Sequence, residues 1–171
     1  QQVRDAVDWT NSAGINNSVN FIIGHKEETY QDALETIRFA DTLATNFVNF
    51  YNLLPYPGTE SFEWAKQHAR FLVLPDSFLE NISYRDNKPI FETDEFTKEQ
   101  RKEVVTLGFD LYRKKILIFR LGKTLGNLVN WITKNASLNR VASKFALNNP
   151  IGRFIYIKLS KKSYMTEEGE V

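Results

Sequence analysis

The chain has 171 residues, 42% apolar and 25% charged, long enough for one globular domain with a core. It contains no cysteine, which excludes disulfides, thiolate nucleophiles, thiolate-bound zinc and cysteine-held iron–sulfur clusters within these residues. Its net charge of +1 averages two unlike parts: residues 1–112 carry 10 Lys/Arg against 18 Asp/Glu, whereas residues 113–162 carry 12 Lys/Arg and no acid. No apolar run reaches the roughly eighteen residues of a membrane span, and no signal-peptide pattern opens the chain. The expectation is a soluble, cytoplasmic chain. It starts at Gln1 without Met and runs straight into a helical pattern, so it reads as a piece of a longer protein.

In chain order, residues 3–13 form a helical pattern with Val3, Ala6, Val7 and Thr10 on one side and Gly14 as a left-handed stop. Residues 18–24 (SVNFIIG) are a strand; Asn20, Ile22 and Gly24 share one face, and Val19, Phe21 and Ile23 the other. Thr29 with Asp32 predicts the cap of a helix striped by Ala33, Ile37, Ala40 and Ala44. Residues 47–54 (FVNFYNLL) are a second strand, apolar on both faces as a covered parallel strand would be. PYPGTE, residues 55–60, is loop chemistry, and Thr59 can cap a helix to about Ala69. This alternation implies parallel pairing through a right-handed crossover. Further on, residues 71–74 read as a short strand and 84–89 as a turn. Thr97 with Gln100 makes a capping box for a helix to about Leu121, which Gly122 stops. Helical segments follow over 123–135 and 138–148, and 151–159 is open between helix and strand.

A strand that ends in glycine before a loop and a capped helix puts main chain at the carboxyl end of a parallel strand, where ligands of α/β proteins bind. An ordinary turn after a strand looks the same, and PYPGTE arriving at that edge favours the site. Around it, Glu27 and Glu28 are adjacent and diverge, so they are not a paired acid and base; helix-dipole stabilisation competes with ligand contact as their role. His25 stands at the strand end, against an exposed loop position, and His68 has no partner at metal-ligand spacing. Asn49 and Asn52 in an apolar strand need hydrogen-bond partners, from backbone or from ligand. Tyr56 could stack on a base or cover the core. No Ser-His-Asp set, phosphate-binding loop or metal cluster is present.

NFIIGHKE, residues 20–27, resembles the G-x-I-x-G-x-x-E signature of the fifth barrel strand of radical S-adenosylmethionine enzymes, with Asn20 in place of the first glycine. GHKEET, the helix with ETIRFA and the strand into PYPGTE are similar to the GLPGET, TIxFA and PYPGTE pattern of the branch that often carries an upstream cobalamin domain. Anaerobic protoporphyrin cyclase and P-methyltransferase type enzymes belong to that branch. Residues 3–69 carry the resemblance; it is fainter over 97–120. It implies an α/β fold: the last two strand–helix units of a partial TIM barrel over 1–75, an irregular connector over 76–96, and a helical extension over 97–171.

It also implies that Asn20, Ile22, Gly24 and Glu27 on the first strand and loop form the S-adenosylmethionine pocket. Asn52, Pro55 and Tyr56 would line the same pocket from the second. Lys26 and Glu27 replace the usual Pro-Gly, and the CxxxCxxC cluster motif would lie before Gln1. In the intact enzyme a [4Fe-4S] cluster would cleave S-adenosylmethionine to a radical that abstracts hydrogen from substrate, with cobalamin added if that upstream domain exists. The expected partners are the missing barrel strands and a second copy of this chain, paired along 19–23 or 47–53.

The basic stretch has three readings: a solvated helical surface, an anionic membrane surface, and nucleic acid. Its apolar residues, Trp131 and absence of acids rank the membrane surface above nucleic acid. A noncatalytic docking module is therefore the alternative to an enzyme fragment. A tRNA methylthiotransferase fragment is a further rival, against which the helical tail argues.

Overall fold

The computed structural model describes residues 1–73, 87–148 and 150. Within them the chain is α/β and mostly helical. Helix α1 (Gln2–Ser12) buries Val7, and Gly14 behind it takes φ +70°. Of the expected stripe Val7 alone is buried, while Val3 is 43% exposed. Strands β1 (Ser18–Ile23) and β2 (Phe47–Asn52) pair in parallel, Ser18 opposite Phe47 through Ile23 opposite Asn52. Between them, α2 (Tyr30–Thr42) is the crossover, started by the predicted box. The Thr29 amide donates to Asp32 Oδ2 at 2.9 Å and the Asp32 amide to Thr29 Oγ1 at 3.2 Å. The Thr29 hydroxyl and amide hold the Asp32 carboxyl below its ordinary 3.8.

Helix α3 (Glu60–His68) starts at Thr59, as predicted. Strand β3 (Arg70–Phe71) pairs antiparallel with β4 (Phe91–Glu92). This small sheet anchors a satellite cluster of Phe62, Ile90 and Phe91. Glu92 accepts the Lys98 amide at 2.7 Å and pairs with Arg70; these contacts, that amide first, hold its carboxyl below the ordinary 4.5. Helix α4 (Lys98–Leu121) begins with the second predicted box, Thr97 with Gln100, and ends at Gly122 with φ +78°. Helices α5 (Lys123–Lys134) and α6 (Ala136–Asn148) follow.

The main core forms where the β1–β2 sheet meets α2 and α4. Ile23, Val48 and Phe50 meet Ala33, Ala40, Val104, Val105 and Leu111 there. Each fully buried Ile, Val or Leu side chain contributes roughly 1.5–3 kcal/mol. Alternation decides the rest: Val19, Phe21 and Ile23 face the helices, and Asn20 and Ile22 face outward. The second strand departs from expectation. Tyr51 is 39% exposed, so β2 is covered on one face and open on the other.

Asn87, with φ 45°, finishes the outer edge of β2 as a strand would. The Asn52 amide donates to Asn87 Oδ1 at 2.8 Å, and Asn87 Nδ2 donates to the Phe50 carbonyl at 2.6 Å. The outer edge of β1 has no strand partner among the described residues. Residues 74–86, which hold the end of the third predicted strand and most of the predicted turn, and residues 151–171 lie outside the described residues. No helix among the described residues is long and apolar enough to cross a membrane.

Part of the basic run is committed to the interior instead of to a solvated face. Lys114 Nζ meets Asp41 Oδ1 at 2.7 Å, and the Lys115 ammonium donates to the Asp41 and Leu43 carbonyls at the carboxyl end of α2. A cation is favoured there by the helix dipole. Burial nevertheless lowers the Lys115 pKa below its ordinary value, against the raising effect of Asp41.

Candidate functional site at the carboxyl edge of the parallel sheet

Gly24 follows β1 at φ +88° and is buried. A Cβ at this position would lie 1.8 Å from Arg101 Nη1 and 2.8 Å from its Cζ, so the glycine makes room for a guanidinium. Arg101 rises from the first turns of α4 and is 1% exposed, its Nε donating to the Phe96 carbonyl at 3.1 Å. Its Cζ stands 4.4 Å from the Phe91 ring centroid and 4.6 Å from that of Phe96. Neither Nη has a hydrogen-bond partner among the described residues. Burial pushes its pKa down to about 10, while Glu28 and Glu92 act to raise it.

The loop after Gly24 is closed by Glu28, whose Oε2 accepts the Gly24 amide at 2.5 Å and the His25 amide at 2.9 Å. Glu27 is exposed and holds φ +60°, a conformation that glycine takes at least cost. His25 is exposed, and His68 Nδ1 lies 3.0 Å from the Trp64 carbonyl.

Beside this loop the sheet presents its open face. Asn20 lies opposite Asn49 and Ile22 opposite Tyr51. Asn49 Nδ2 donates to Asn20 Oδ1 at 2.8 Å and to Ser18 Oγ at 3.3 Å, leaving an amide pair flanked by the exposed Ile22 (49%) and Tyr51. Pairing continues past β2, as the Leu53 amide donates to the Ile23 carbonyl at 2.8 Å. The PYPGTE loop therefore leaves from the same end as Gly24. There Pro55 is buried, Tyr56 is 54% exposed, and its carbonyl accepts the Thr59 hydroxyl at 2.7 Å.

Of the residues assigned to the pocket, Asn20, Ile22 and Tyr56 are solvent-facing at this surface. Gly24 and Pro55 shape the chain beneath it, and Glu27 projects from the loop. Asn52 belongs to the covered side with Val48 and Phe50. It is 6% exposed, and its Nδ2 donates to the Asn87 carbonyl at 2.7 Å. Sequence reasoning missed Arg101; for Glu28 it weighed helix-dipole stabilisation against ligand contact and did not foresee that its carboxylate holds the Gly24 and His25 amides. The available signal for Arg101 is its place in the buried stripe of α4 with Val104, Val105, Gly108 and Leu111. The arrangement offers two tyrosine rings, an aliphatic side chain and an amide pair: a surface for a flat, partly polar ligand, with no pair of carboxyls poised for proton transfer among the described residues. Among the described residues no group of three or more His, Asp or Glu could hold a metal ion.

No protein-family profile and no solved structure matches the chain. It is similar to an uncharacterized methyltransferase of Pyrococcus horikoshii, 32% identical over 120 residues that make up 69% of this chain and 25% of that protein. The chain thus spans about a quarter of the length of the curated relative it matches.

Proposed function

We propose that this chain is the carboxyl-terminal part of a longer radical S-adenosylmethionine enzyme and forms the adenosine-facing side of its S-adenosylmethionine site. One observation carries the reading. The parallel β1–β2 sheet is packed by helices on one face and open on the other, and the open face ends where the Gly24 and Tyr56 loops emerge. An inward barrel face, separated from its remaining strands, would look like this. The outer edge of β1, which has no strand partner among the described residues, is where a preceding strand would add. Similarity to a protein named as a methyltransferase supports S-adenosylmethionine as the ligand.

The residues present fit the adenosyl end of that cofactor. Ile22, Tyr51 and Tyr56 supply apolar and aromatic surface for an adenine ring, and the Asn20–Asn49 pair supplies amide donors and acceptors beside it. When bound, S-adenosylmethionine supplies a transferable methyl group or the precursor of a hydrogen-abstracting radical. The chain's own part is to bind and orient: Glu28 fixes the Gly24–His25 backbone, and Arg101 backs that loop from the core. An iron–sulfur cluster does not fit these residues, because no cysteine is available to ligate it. The cluster, and a cobalamin domain if the protein has one, belong to the rest of the longer protein.

The test is reconstitution of the 171-residue chain with iron and sulfide under anaerobic conditions, followed by titration with S-adenosylmethionine. The expected result is no retained iron, with weak S-adenosylmethionine binding at best because most of the pocket is absent. Iron retained at cluster stoichiometry would contradict the assignment.

A further inference from the structure

Helix α5 packs on α4 through its smallest residue. A Cβ on Gly126 would lie 2.6 Å from the Ile118 Cα and amide nitrogen, so the two helices touch backbone to backbone at this point. With Gly126 turned inward, the apolar stripe of α5 points elsewhere. Leu125, Leu128 and Trp131 are 49%, 50% and 58% exposed and, at about 100° per residue, fall within one arc of roughly 120°. Leu138 and Val141 on α6 are exposed as well. An amphipathic helix normally turns such a stripe into its own core. This one leaves it outside.

The charges beside the stripe are of one sign. Lys123, Arg140 and Lys144 are exposed with no carboxylate at ion-pair distance among the described residues, and Lys134 pairs with Asp110 at 3.1 Å. Residues 113–162 contain no Asp or Glu at all. A protein or nucleic-acid partner would answer the cations, but nucleic acid has no means of burying a Leu, Leu and Trp stripe. Interfacial helices combine an aliphatic and Trp face with flanking Lys and Arg.

We propose that α5 and α6 dock this chain peripherally on an anionic lipid surface, with Leu125, Leu128 and Trp131 entering the headgroup boundary and Lys123, Arg140 and Lys144 meeting lipid phosphates. This proposal is independent of the S-adenosylmethionine reading. The test uses the full chain with Trp9→Phe and Trp64→Phe, which leaves Trp131 as the reporter. It is mixed with vesicles of equal phosphatidylglycerol and phosphatidylcholine, or of phosphatidylcholine alone. Co-sedimentation and a blue shift of Trp131 emission are expected with the anionic vesicles at low salt, weakening as salt rises.

Leu125→Gln with Leu128→Gln should abolish the blue shift. Each cation near the surface strengthens binding about fivefold, so Arg140→Gln with Lys144→Gln should weaken it about twenty-five-fold, with unchanged circular dichroism in both variants. The proposal is overturned by an unshifted Trp131 with no co-sedimentation at low salt. Binding to an oligonucleotide but not to vesicles overturns it equally, as does a lipid-indifferent dimer in which Trp131 is already buried.

Discussion

Gly24→Ala should destabilise the chain by about 2–5 kcal/mol in urea unfolding, among the largest effects of any single methyl group added to it. Two costs combine. A left-handed conformation costs an L-residue about 1–2 kcal/mol, and φ here is +88°. Overpacking adds about 1–3 kcal/mol. The colliding atom is the tip of a long side chain, which would ordinarily swing away. Arg101 has nowhere to go: it is 1% exposed, lies against the Phe91 and Phe96 rings and is tied to the Phe96 carbonyl.

A double-mutant cycle separates the terms. Arg101→Met should relieve the collision but not the backbone strain, so Gly24→Ala in that background should cost only the roughly 1–2 kcal/mol of the φ term. Arg101→Met alone should change stability little, because it removes favourable contacts together with two guanidinium nitrogens that have no hydrogen-bond partner among the described residues. A cost for Gly24→Ala below about 1 kcal/mol would mean that the glycine is not held there by conformation or space.

Gly108→Ala is the second large effect, and here two terms oppose each other. In a helix interior, alanine gains about 1 kcal/mol over glycine. Against that, the added Cβ would lie 2.6 Å from Phe50 Cδ2, 2.8 Å from its Cγ and 2.9 Å from its Cβ. Phe50 has no free rotamer to take up, being 5% exposed and stacked on Phe21 with centroids 5.0 Å apart. Overpacking of about 1–3 kcal/mol should therefore win, with a net loss of up to about 2 kcal/mol. Phe50→Leu combined with Gly108→Ala should recover part of the loss, and a Gly108→Ala variant more stable than the parent would refute the close helix-to-strand approach.

Local chemistry made most of the fold legible. Both capping boxes, the Thr59 start and the Gly14 and Gly122 stops fall where their residues predict, because caps are satisfied within a few positions of chain. Period-two alternation also placed Asn20 and Ile22 on one face of β1. What was not legible depends on distant contacts. FVNFYN is apolar enough to read as covered on both sides; that one side is open follows from which helices arrive, and those are encoded elsewhere. The edge contact of Asn87 with Asn52 joins residues 35 apart and leaves no local pattern.

Parity could have gone further at the site. Asn52 shares the side of Val48 and Phe50, so alternation along the strand already places it on the covered face. Glu28 was read with Glu27 as a helix-dipole or ligand-contact group, and its hold on the Gly24 and His25 amides was not foreseen. Arg101 shows the reverse situation: a charge inside a buried stripe is visible in sequence, but the glycine that accommodates it lies on another element.

The most direct measurement is photolabelling with 8-azido-S-adenosylmethionine of the longer protein proposed to carry this chain, mapped by mass spectrometry. The account predicts modification on β1 or on β2 and its following loop, at Ile22, Tyr51 or Tyr56, abolished by excess S-adenosylmethionine and by Ile22→Asp. Efficient, competable labelling confined to other segments would contradict it.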